Sequence, residues 1–188
     1  MQKVILYITV TTAFFLAGCG ANEVITGNTY TRQEFKKMTY CIGMSDTAMY
    51  AATSKLKGVP MDQVTSYYAT KEGFHMNIAT VEEVYSETFT SVWDYTILFF
   101  EGCSLKFAKI DAKRIGPASQ CAQNSMIAGL AHTYKSLGTP KVKTYKNFSV
   151  FKNKMSNNIV DDVYESRYGR ADVKLDEWSS CMLKITTE

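Results

Sequence analysis

The chain has 188 residues, of which 46% are hydrophobic and 21% charged, with only 3 prolines and 11 glycines. That composition excludes a disordered, collagenous or linker-rich protein and leaves room for one domain or two small ones. A formal charge of +3 gives no electrostatic case for a nucleic-acid partner, which needs a concentrated basic surface.

The first 18 residues read as a targeting segment. Lys3 supplies a short positive region, and Val4 to Leu16 form an apolar run too short to span a membrane but suited to a signal peptide. Leu16-Ala17-Gly18-Cys19 follows. These four residues, at that distance behind such a run, resemble the lipobox of bacterial lipoproteins. The resemblance implies cleavage before Cys19, a diacylglycerol on its thiol and acylation of the new amine. Two or three acyl chains make a stable anchor, since each buried methylene contributes about 0.8 kcal/mol. Gly20, where an aspartate would favour inner-membrane retention, implies the outer membrane, with a Gram-positive cell surface as the alternative. Residues 19–30 lack helical periodicity and read as a lipidated tether, with the folded part expected from about Thr31.

Without Cys19, four cysteines remain: Cys41, Cys103, Cys121 and Cys181. An even number in an oxidising compartment predicts two disulfides. Aligning Cys41 with Cys121 gives eight identities over twenty positions, among them Ser45/Ser125, Lys55/Lys135, Gly58/Gly138 and Pro60/Pro140. Average composition would give about one or two. Val81-Glu82-Glu83-Val84-Tyr85 then matches Val160-Asp161-Asp162-Val163-Tyr164, and each stretch runs on to a closing cysteine. The chain thus reads as a tandem duplication of a unit of roughly 80 residues, with unit one at 31–110 and unit two at 111–188. Self-contained units would pair Cys41 with Cys103 and Cys121 with Cys181. The nested alternative pairs Cys103 with Cys121 and Cys41 with Cys181.

Within unit one, Thr31-Arg32-Gln33-Glu34 is a capping box, with Tyr30 and Phe35 at the staple positions. An apolar stripe through Phe35, Met38, Ile42, Met49, Ala52 and Leu56 predicts a helix that stops at Gly58, with Pro60 in the first position of the next. Thr80-Val81-Glu82-Glu83 reads as a second capping box, opening one unbroken helix to Cys103. Residues 104–116 alternate Lys106, Lys109, Lys113 and Arg114 with apolar residues, a pattern of a solvated face over a core or of a segment lying on anionic lipid. In unit two, Pro117 opens a helix ending at Gly138, Thr139 is a plausible cap before Pro140, and Gly169 divides the remainder, leaving a last helix over about 173–184. The fold class is therefore all-α: two small helical bundles packed together, or one continuous bundle with pseudo-twofold symmetry.

Chemistry is sparse. HExxH, CxxC, GxSxG and Gly-rich phosphate loops are missing from the sequence. The two histidines, His75 and His132, are not repeated between units and read as surface or packing residues. The acidic pairs Glu82/Glu83 and Asp161/Asp162 would sit in the first turn of a helix, where its dipole favours them, and neighbouring helical positions diverge too far for joint acid–base work. No metal or cofactor is expected. The aromatic excess at Trp93, Tyr95, Phe99 and Phe100 spreads around its helix, which suggests burial between the units or an exposed binding surface.

Cysteine spacing and helix content also loosely resemble small disulfide-linked helical periplasmic proteins, immunity proteins among them. The expected function is non-enzymatic: an envelope lipoprotein that holds a protein partner at the membrane, as an immunity, inhibitor or adaptor protein. The alternatives are a ligand-binding or structural lipoprotein of the outer membrane, with the aromatic helix lining a small apolar pocket, and a hydrolase with an unrecognised site.

Overall fold

The computed structural model describes residues 30–70, 74–151 and 154–185. The expected signal peptide, Cys19 and most of the tether lie outside them. Among the described residues the protein is all-α, with eight α-helices and no strand. These are α1 (Arg32–Leu56), α2 (Met61–Ala69), α3 (Phe74–Ser86), α4 (Val92–Cys103), α5 (Ile115–Ser136), α6 (Lys141–Phe148), α7 (Lys154–Glu165) and α8 (Arg170–Ile185). A π-helical turn at Ser104–Ala108 and a 3-10 turn at Ala112–Arg114 join α4 to α5. No described helix is long and apolar enough to cross a membrane.

The first helix begins as its sequence predicts. The Thr31 hydroxyl accepts the Glu34 amide at 3.2 Å, and the Glu34 carboxylate accepts the Thr31 amide at 2.7 Å. Both long helices end at a glycine in the left-handed region, Gly58 at φ +74° and Gly138 at φ +72°. The prolines that follow differ from expectation: Pro60 and Pro140 are themselves the N-caps of α2 and α6, with extended ψ of 146° and 139°, and Thr139 precedes the cap.

The predicted single helix from Thr80 to Cys103 is two helices. Thr80 lies inside α3, where its hydroxyl donates to the Met76 carbonyl one turn back at 3.0 Å. The chain breaks at 87–91, and Ser91 caps α4 by accepting the Asp94 amide at 3.2 Å. The acidic pairs therefore fall in the second half of α3 and α7, and the N-terminal dipole argument for them fails.

Three hydrophobic clusters hold the helices. One gathers Ala48, Ala51, Val64, Val81 and Val84 from α1–α3. A second gathers Ile127, Ala131, Phe148, Val160 and Val163 from α5–α7. The third is shared: Met38, Ile42 and Phe100 from the first half meet Ala118, Ala122, Trp178 and Met182 from the second. Tyr30, expected in the tether, is buried in this cluster, so the folded part includes it.

Both disulfides border the shared cluster, joining Cys41 to Cys103 and Cys121 to Cys181. Each ties the long helix of its half to the last one, α1 to α4 and α5 to α8.

Other contacts recur at matched positions. The Lys55 ammonium donates to the carbonyls of Val84 and Tyr85, at 3.1 and 2.8 Å, and to that of Glu87. The Lys135 ammonium donates to those of Val163 and Ser166, at 3.0 and 2.5 Å. In each half a lysine from the long helix thus satisfies carbonyls at the C-terminus of a neighbouring helix, where a cation is favoured. The Tyr85 hydroxyl donates to Val59 and that of Tyr164 to Thr139, both at 2.6 Å.

Candidate functional site

An open groove of about 780 Å³ runs along the first half. Tyr40 and Met44 come from α1, Met76 and Glu83 from α3, Tyr95, Leu98 and Phe99 from α4, and Lys106 and Phe107 from the π-helical turn. The break at 87–91 contributes Glu87 and Phe89, so the interruption that sequence periodicity missed forms one wall. Its lining is mainly apolar, and much of it faces solvent: Leu98 is 66% exposed, Met76 53% and Phe107 49%. An apolar surface kept open to water in this way is characteristic of binding sites.

Aromatic packing shapes the groove. Phe89 and Tyr95 stack with centroids 4.4 Å apart, Tyr95 and Phe99 lie at 6.5 Å, and Tyr40 and Phe107 meet at 5.2 Å. The Lys55 ammonium sits 5.3 Å over Phe89, adding a cation–π contact to its carbonyl bonds. Burial, reinforced by the negative field of Glu83 and Glu87, pushes the Tyr95 hydroxyl up to about 12, so it stays a neutral donor.

The four aromatic residues predicted as a binding surface divide. Tyr95 and Phe99 line the groove. Phe100 is fully buried, edge-to-face with Trp178 in the shared cluster, and offers no surface. Trp93 packs against the cluster of the second half. The spread around α4 that the sequence displays thus serves two purposes, one edge open and the other joining the halves. Tyr40, Met76, Leu98 and Phe107 went unrecognised as site residues; the segment 104–116 gave a signal for Phe107, read only as an alternating pattern.

At four matched positions the second half is polar. Tyr40, Met44, Leu98 and Phe99 correspond to Gln120, Asn124, Asp176 and Glu177. The Gln120 amide donates to the Asn124 side chain at 3.4 Å, and Asn124 donates to the Cys181 sulfur at 3.7 Å. Burial pushes the Glu177 carboxyl up, with Lys184 and Asn124 opposing. The two halves differ in chemistry at these positions.

A second constellation lies between the halves. Asp46 on α1 accepts two bonds from the Arg170 guanidinium, at 2.5 and 2.6 Å, and one from the buried Lys174 ammonium at 2.9 Å. Burial would raise the Asp46 carboxyl, but the two cations outweigh it and hold it below the usual range. Lys174 is pushed down by its own burial, with Asp46 partly offsetting. Gly129 on α5 makes room: a Cβ there would meet Lys174 Cδ at 2.7 Å and Cγ at 2.9 Å. Two cations share one half-buried carboxylate, and the constellation fastens the two halves together.

Neither histidine lies in the groove. His75 is exposed at the start of α3. His132 Nε2 lies 3.2 Å from the Tyr168 carbonyl, which only accepts, so Nε2 donates there, and Nδ1 lies 3.3 Å from Ser136 Oγ. The group orienting this Ser–His pair is a carbonyl, without the charge a carboxylate supplies to a developing imidazolium. Asp161 accepts from Lys141 at 2.7 Å and from the Tyr145 hydroxyl. Among the described residues no cluster of three or more His, Cys, Asp or Glu side chains could hold a metal ion.

No protein-family model matches the chain, and no curated protein or solved structure matches it.

Proposed function

We propose that this is a lipid-anchored envelope protein that acts by binding a protein partner in the groove of its first half, not by catalysis. The observation that carries the reading is the contrast at matched positions of the two halves: Leu98, 66% exposed beside Phe99 in the first, against Asp176 and Glu177 in the second. A pair of units from one duplicated ancestor, with their matched lysine, tyrosine and disulfide contacts, would need no such difference for stability. An exposed apolar face costs solubility, and it persists where something covers it.

Cys19 supplies the anchor in this reading, supported by the complete Leu16-Ala17-Gly18-Cys19 motif behind its apolar run, and Gly20 favours the outer membrane. The carboxylates of Glu83, Glu87 and Asp94 around the groove favour a partner segment that is apolar with basic flanks. The second reading, a small apolar ligand, draws support from the groove's size, about 780 Å³, within the range of small-molecule sites.

Mild extraction of the protein from membranes followed by native mass spectrometry tests the proposal. The expected result is a complex of fixed stoichiometry with one protein, lost on Leu98→Glu and kept on Leu137→Glu, a similarly exposed leucine at the end of α5. A monomer throughout, or a complex indifferent to Leu98, overturns it. A monomer carrying a discrete small-molecule mass favours the ligand reading.

A further inference from the structure

We infer that the end of the molecule at Tyr30 is a bilayer-facing surface that binds anionic lipid headgroups through Lys106, Lys109 and Lys113. This end is strongly basic. Residues 30–40 and 104–116 together hold seven basic and two acidic side chains, a net of +5 where the whole chain carries +3. The acids are mostly committed: Glu34 is held by Arg114 through two 2.9 Å bonds, and Asp111 accepts the Lys113 amide.

These two segments, distant in sequence, are one surface in the fold. Arg114 lies over the Tyr30 ring, 5.1 Å from its centroid, and its carbonyl accepts the Tyr30 hydroxyl. Lys37 sits 5.8 Å over the Phe107 ring. The connection between α4 and α5 is therefore not the amphipathic helix its alternation suggests. Its turns, ending with Lys109 at φ +60°, leave Lys106, Lys109 and Lys113 exposed beside Leu105 and Phe107. Exposed cations beside a large apolar side chain such as Leu105 suit a headgroup–acyl boundary, where the apolar group enters and the charges meet phosphates.

The inference rests here on the Cys19 anchor, which keeps this end within reach of the membrane. Ten residues separate Cys19 from Tyr30, a reach of at most about 40 Å even fully extended. That is about one diameter of a domain of this size. Lys57, at the far end of the 25-residue α1, is about 37 Å away along the helix and serves as an internal control.

The test reconstitutes the purified protein on vesicles of phosphatidylcholine alone or mixed with phosphatidylglycerol. Each lysine is labelled with a membrane-impermeant amine reagent and read by peptide mass spectrometry. Lys106, Lys109 and Lys113 are expected to react about threefold or more slowly on the anionic vesicles, with Lys57 unchanged and the protection lost in about 1 M salt. A K109E/K113E variant, altered only at exposed positions outside the groove, abolishes the protection of the remaining Lys106. Equal rates on the two vesicle types, or equal slowing at Lys57, overturn the inference. An intact mass without diacylglycerol defeats the anchor reading alone; the comparison is then made on the same protein with vesicles added, and equal rates still overturn the surface.

Discussion

Phe100 and Trp178, each three residues before the cysteine that closes its half, meet edge-to-face at the centre of the molecule with centroids 5.7 Å apart. Both are fully buried, and the indole N–H donates to Thr39 at 2.9 Å. Such a pair couples by about 0.5–1.5 kcal/mol beyond the area it buries. A double-mutant cycle of Phe100→Leu and Trp178→Leu in urea is expected to return a coupling of about 1 kcal/mol. Additive effects would mean the rings touch without cooperating.

The disulfides give a covalent prediction. Peptide mapping under non-reducing conditions is expected to find Cys41 linked to Cys103 and Cys121 to Cys181. Replacing one pair by alanines opens a loop of about 60 residues and costs about 4 kcal/mol in the chain-entropy account. A Cys103–Cys121 peptide would contradict the pairing.

The Asp46 fastening predicts a pH dependence. Its carboxyl is held below the ordinary 3.8, so the native state binds fewer protons than the unfolded chain. The stabilisation is complete above about pH 5 and is lost as pH falls through and below the ordinary value. Asp46→Asn leaves Lys174 buried beside an uncharged amide and is expected to cost about 3 kcal/mol at neutral pH. The gap between wild type and variant should close on acidification, measured by urea melts across that range. A gap unchanged down to acid pH would show that shape, not charge, holds the site.

Gly129 gives a prediction of opposite sign to helix propensity. Alanine in a helix interior is favoured over glycine by about 1 kcal/mol. Here its methyl would meet the stem of Lys174 and displace the cation from Asp46. Gly129→Ala is expected to destabilise by about 1–2 kcal/mol, and to become neutral or stabilising when combined with Lys174→Ala. Stability curves of the two backgrounds check this.

Helix existence and most termini were legible in the sequence because caps, glycines and apolar stripes are local signals. The capping box at Thr31, the stops at Gly58 and Gly138 and the break near Gly169 stand where the residues place them. The break at 87–91 was missed because it contains neither glycine nor proline; Ser91-x-x-Asp94 was its only mark. Thr80-x-x-Glu83 misled because the same residue pattern also fits a helix interior, where threonine bonds back to its own turn. The identity of Lys55 and Lys135 was visible in the alignment, but their task was not, since it depends on where α3 and α7 end. The groove was half legible. Aromatic excess marked α4, but which edge stays open depends on how the second half packs, and that is long-range information.

The central claim, that the apolar face of the first half and not its polar counterpart meets a protein partner, is tested most directly by site-specific photo-crosslinking in intact cells. A photoreactive residue is placed at Leu98 in one strain and at the matched Asp176 in another. The expected result is a single discrete protein adduct from position 98 and none from position 176. No protein adduct from 98, or equal adducts from both, would contradict the account.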